Sequence, residues 1–207
     1  MAMYRMEVVA NFCWRLCLLF IVQVIITSCE QSRLGLRPVS VADFEKFVAQ
    51  TGYVTDAERY GWSIVQLDVY DFITRKGAHW RKPNGLAAAN DPDLPVTQVS
   101  FNDALAYCQW ANVRLPTYDE YWDLVRTDER TIVSENLYPI SAVDKVNILG
   151  NVWDITEPNK GGQVRLAGGS LFCSMTTCNG TVADRMLYVD KETGNIHIGF
   201  SVIFQIN

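Results

Sequence analysis

The chain has 207 residues, 49% of them hydrophobic, 12% aromatic and 20% charged, with a net charge of −5. Those values fit one globular domain with its own core and exclude a disordered or low-complexity chain. The acidic balance leaves no basic surplus to neutralise phosphates, so nucleic acid is excluded as a main partner.

The first feature in chain order is an address. Arg5 and Arg15 precede an apolar run from Leu16 to Ile26 that only Gln23 interrupts. A membrane-spanning helix needs about 20 apolar residues, so this run has the length of a signal-peptide core. It ends in Ile26-Thr27-Ser28-Cys29, which resembles the bacterial lipobox. That resemblance implies cleavage before Cys29 and lipidation of its thiol; an ordinary signal peptide or a short membrane anchor is the alternative. Acyl chains add about 0.8 kcal/mol per buried methylene, so several of them hold a protein firmly on a membrane. The expected layout is a lipoprotein signal peptide over 1–28, a lipidated tether over 29–37 and a domain over 38–207. The expected place is the cell envelope, periplasmic or at the cell surface. Cys108, Cys173 and Cys178 remain beyond Cys29, enough for one internal disulfide at most.

Helix signals come next. Ser40 with Asp43 predicts a capped helix whose apolar face is Val41, Phe44 and Val48 and which Gly52 ends. Tyr53 to Asp71 alternates in a way that suits strands or loops, and His79 to Pro95 reads as a long ordered loop. Ser100 with Asp103 predicts a second helix, with Ala104, Leu105, Cys108 and Ala111 inward; Thr117 with Glu120 predicts a third, with Tyr121, Leu124 and Val125 inward. Short strand-like pieces follow, so the expected class is α+β.

Three segments carry a resemblance. The first runs from Pro95-Val96-Thr97-Gln98-Val99-Ser100 through Tyr107-Cys108 to Arg114-Leu115-Pro116-Thr117. The second is Gly150-Asn151-Val152-Trp153-Asp154. The third is Gly168-Gly169-Ser170, followed by Cys173 and Cys178 and closed by Ile198-Gly199-Phe200. In order and spacing they resemble the formylglycine-generating enzyme, or sulfatase-modifying factor, family. The resemblance implies a C-type lectin-like α+β fold with few regular elements and long ordered loops. It also covers a branch of variable display proteins in diversity-generating retroelements.

The resemblance places Ser170 on the family's active-site serine and Cys173 and Cys178 on its cysteine pair. It implies that the pair binds copper, which activates O2 to oxidise a sulfatase cysteine. Two thiolates do suit Cu(I). Read without the family, a disulfide comes ahead of a metal site for an exported protein, and on so short a loop it stabilises by about 2 kcal/mol; two free thiols are the other alternative. On a helix, five residues separate side chains by about 140°, so the two sulfurs converge only in a loop or strand turn.

Several positions depart from the active pattern. Ala167 stands where Arg is usual, with Arg165 two places earlier; Ser174 replaces His, Thr177 an aromatic, and Ser201 the Arg of the closing Gly-Phe-Arg. The strands that usually precede the helix at Ser40 lack a counterpart. The first expectation is therefore ligand binding, of a protein or peptide, through Leu171, Phe172, Ser174, Met175, Thr176, Thr177, Tyr188, Asp190 and His197. The alternative is the copper- and O2-dependent oxidase. The resemblance also implies a calcium ion held by Asn147, Gly150, Val152 and Asp154, with Asp154 in place of the commoner Glu.

Overall fold

Helices begin where the sequence supplies caps. Ahead of α1 (Val41–Thr51), the Ser40 hydroxyl accepts from the Asp43 amide at 3.1 Å, and Gly52 closes the helix in the left-handed conformation. A short helix, α2 (Asp56–Tyr60), lies where the pattern suggested strands or loops. Thr55 and Glu58 form a full capping box there, but five residues are too few to show a helical period. The Ser100–Asp103 box opens α3 (Phe101–Ala111), and Thr117 with Glu120 opens α4 (Tyr118–Arg126). Glu120 also accepts two bonds from the Arg114 guanidinium, which hold its carboxyl down at about 2.

The computed structural model describes residues 33–68, 70–88, 91–126, 149–171 and 186–206. Residues 34–205 form one compact unit; of a second unit, 1–33 with 206–207, only Arg33 and Ile206 are described. Among the described residues there are eight strands. β1 (Arg33–Pro38) pairs with β8 (Ser201–Ile206), and β2 (Trp62–Asp68) pairs antiparallel with β3 (Asp71–Lys76). A third sheet has the order β6 (Tyr188–Val189), β5 (Val164–Ala167), β4 (Trp153–Ile155), β7 (Ile198–Gly199). Its β4–β7 pair is parallel and the others are antiparallel. β1 corrects two expectations: residues 33–37 are strand rather than tether, and a strand does precede Ser40.

The main core joins the helices to this sheet. Phe44 meets Trp80, Tyr107 and Phe200 at ring distances of 5.2, 6.0 and 6.4 Å, and Trp153, Ile155 and Leu166 fill the sheet side. A second cluster joins Tyr121, Trp122 and Val125 of α4 to Leu36, Ala167 and Ile203. The inward stripe of α3 differs from expectation. Leu105 is 41% exposed, and Phe101 and Tyr107 are buried with Ala104 and Cys108. Aromatic packing chose the helix rotation. Burial pushes the Cys108 thiol up to about 12, so it is an inert core group.

The cap of α3 is tied into a buried polar knot. Asp103 accepts from the Ser100 and Asp56 amides and the Tyr53 hydroxyl, while the Ser100 hydroxyl donates to Asp56 at 2.5 Å. Ser100→Ala removes the cap and one donor to a buried carboxylate. We expect it to lower stability by about 1–3 kcal/mol, read as a shifted urea midpoint at unchanged slope.

Candidate functional site

The Gly-Asn-x-Trp and Gly-Gly-Ser segments lie side by side. The Gly150 amide donates to Gly168 O at 2.8 Å, the Leu171 amide to Asn151 O at 3.2 Å, and Asp154 pairs with Ala167 across β4 and β5. Gly168 and Gly169 both take positive φ, of 85° and 74°, and turn the chain out of β5 into Ser170. Ser170 is buried, and its hydroxyl has no hydrogen-bond partner among the described residues. Phe172, Cys173, Ser174, Met175, Thr176, Thr177 and Cys178 lie outside the described residues, as do Cys29 and Asn147.

Asp154 is fully enclosed. The Ser201 hydroxyl donates to its Oδ1 at 2.6 Å and the Tyr121 hydroxyl to its Oδ2 at 3.1 Å. Burial pushes the carboxyl up to about 7, against the pull of those two donors. Both carboxyl oxygens are thus engaged by protein hydroxyls. Among the described residues no group of three or more His, Cys, Asp and Glu could hold a metal.

Two more expectations change. Leu171 and His197 were candidate contact residues, yet both are buried, so neither presents its side chain to a ligand. His197 sits beside Trp153, whose amide donates to its carbonyl, and burial pulls its imidazole down to about 4. Tyr188 and Asp190 are exposed as expected. The Arg165 guanidinium lies 3.3 Å over the Tyr118 ring.

Asp190 belongs to a cleft of about 450 Å3 that the sequence reading missed. Its walls are the end of α2 with Ala57 and Tyr60, the start of β2 with Trp62 and Ser63, and the loop 190–194. That loop is pinned at several points. Asp190 Oδ1 accepts from the Glu192 and Thr193 amides at 2.8 and 2.7 Å, and the Ser63 hydroxyl donates to Gly194 O at 3.0 Å. The Tyr60 hydroxyl donates to Glu192 at 2.5 Å, an attachment that raises the phenol's own pKa. Below, Gln98 sits fully buried with φ 60° and donates to Ile64 O and Pro83 O. A Cβ on Gly194 would lie 2.7 Å from the Gln98 carbonyl carbon, so only glycine allows this approach. The one sequence signal for the cleft was the exposed aromatic pair flanking Gly61.

Comparison with known proteins agrees with the first of the three segments, which lies inside a family match. The sulfatase-modifying factor enzyme 1-like domain family matches residues 28–130. The formylglycine-generating enzyme of Bos taurus is 44% identical over 101 aligned positions, covering 40% of this chain and 27% of the bovine protein. The inactive C-alpha-formylglycine-generating enzyme 2 of Mus musculus is 39% identical over 105 positions, covering 42% of this chain and 34% of the mouse protein. The chain thus spans about a third or less of either relative's length. Among solved structures, Treponema denticola variable protein 1 superposes with a TM-score of 0.46 at 14% identity, covering 63% of this chain and 78% of that one. The chain therefore carries a domain of the sulfatase-modifying factor enzyme 1-like family, matched over residues 28–130, with the α+β, C-type lectin-like fold of that family.

Proposed function

We propose that this chain is a ligand-binding domain on the sulfatase-modifying scaffold, held at a membrane of the cell envelope by lipid on Cys29. The observation that carries binding is the cleft beside Asp190, a pinned concavity with two exposed aromatic rings in its wall. Its volume falls in the roughly 300–1,000 Å3 range of small-ligand sites. The substitutions at Ala167 and Ser201 point the same way. Both side chains are buried, and Ser201 is spent on Asp154, so neither position offers a charge to a substrate. A display role in a diversity-generating retroelement would use Tyr188 and Asp190 among the described candidates. It predicts a template copy of the 3′ coding region beside a reverse transcriptase in the neighbouring DNA.

The second reading is the copper-dependent oxidase, favoured by 44% identity to a formylglycine-generating enzyme and by the Cys173–Cys178 spacing. One experiment separates them. Reduced protein is supplied with Cu(I), O2 and a Cys-x-Pro-x-Arg peptide, and aldehyde is measured. We expect none. Aldehyde that disappears in Cys173→Ser establishes the oxidase and displaces the binding reading. The anchor is tested independently: Cys29→Ser is expected to abolish palmitate labelling and move the protein from the membrane fraction to the soluble one. Unchanged labelling would remove Cys29 as the lipid site.

A further inference from the structure

The cleft between α2 and the loop 190–194 has a surface chemistry that selects its ligand. Tyr60 and Trp62 are 49% and 41% exposed, with ring centroids 6.3 Å apart and planes inclined by 30°. They form a shallow platform beside each other, not a cage around a point. Aromatic faces carry negative potential, and the C–H face of a pyranose ring is flat, apolar and weakly positive. The rim adds oxygen acceptors. Asp190 and Glu192 are each held in place by protein donors, Asp190 by two backbone amides and Glu192 by the Tyr60 hydroxyl. Carboxylate oxygens so oriented accept from ligand hydroxyls.

Charge narrows the choice. Two carboxylates at the rim repel an anionic ligand. Lys191 also lines the cleft, its ammonium 5.7 Å over the Phe101 ring, so the rim sets one cation against two carboxylates; Arg59 pairs with Asp56. Lys76 stands across the hairpin from Trp62 and does not line the cleft. A compact cation would gain most from rings that enclose it. Here the two rings lie side by side and open, with no third ring to enclose a point charge.

We infer that this cleft binds a neutral saccharide, with one sugar ring lying on Trp62 and Tyr60 and its hydroxyls donating to Asp190 and Glu192. The inference rests on the ligand-binding reading above and names the ligand class for it. The test is isothermal titration of the whole folded chain with cellohexaose, maltohexaose and chitohexaose, alongside polygalacturonate and an oligoarginine peptide.

At least one neutral hexasaccharide is expected to bind saturably. Trp62→Ala is expected to weaken it at least tenfold and Glu192→Ala several-fold, with circular dichroism unchanged. Both side chains are exposed, and Glu192→Ala leaves the aromatic platform intact should Trp62→Ala perturb β2. If none of the three neutral sugars binds at millimolar concentration, or if binding survives Trp62→Ala in a folded protein, the assignment fails. Tighter binding of polygalacturonate also overturns it. Oligoarginine binding that Trp62→Ala abolishes, with no sugar binding, refutes the saccharide and keeps the cleft as a ligand site. Silence from every probe removes both.

Discussion

Asp154→Asn is expected to raise stability at pH 8 by about 2–4 kcal/mol and to flatten its decline between pH 4 and 7. The direction follows from linkage. The Asp154 carboxyl rises from 3.8 to about 7 on folding, because burial outweighs the pull of the Ser201 and Tyr121 hydroxyls, its partners among the described residues. The folded chain therefore keeps a proton there that the unfolded chain releases. Its stabilising share is intact below the unfolded value and is lost progressively as pH rises to about 7. A shift of about three units amounts to about 4 kcal/mol when complete. Asparagine carries no such charge. Asp103, pushed up to about 6 by burial, acts with the same sign and leaves the variant a residual slope. Urea unfolding at pH 5 and pH 8 decides the matter; equal pH slopes in variant and parent would show that Asp154 is not the group responsible.

Gly168→Ala should cost about 2–4 kcal/mol, through overpacking joined to left-handed backbone strain. A Cβ there would stand 2.2 Å from the Tyr121 hydroxyl oxygen and 3.1 Å from the carbon that bears it, and φ is +85°. Because the nearest obstacle is one hydroxyl, Tyr121→Phe should recover part of the loss, giving a favourable coupling in the double-mutant cycle. The same change should do nothing for Gly194→Ala, whose obstacle is the Gln98 backbone. Chemical denaturation of the four proteins checks the cycle. Additive losses for Gly168→Ala and Tyr121→Phe would mean that the backbone strain, not the hydroxyl, sets the cost.

How legible this protein is depends on the range of the interaction. The helices at Ser40, Ser100 and Thr117 were readable because their caps are local, with donor and acceptor three residues apart. The fold was readable because motif segments kept their order. α2 carried its own local box at Thr55 and Glu58, but without a hydrophobic period it passed for loop. β1 passed for tether because its partner β8 is at the other end of the chain. Leu171 and His197 looked like contact residues by position, and only the packed sheet shows them inside. The cleft was the least legible feature. Tyr60 and Glu192 are distant in sequence, and nothing local says that one donates to the other.

The pairing of β1 with β8 has a consequence in time as well as in space. The first described strand finds its partner only in the last one, and β4 likewise waits for β7. At the pace of translation, about 5–20 residues per second, roughly 10–30 s separate the synthesis of the two ends. During that interval the early helices exist without the sheet side of their core. The domain therefore closes only once its last strand has been made, and the whole span of synthesis passes before its two edge strands can pair.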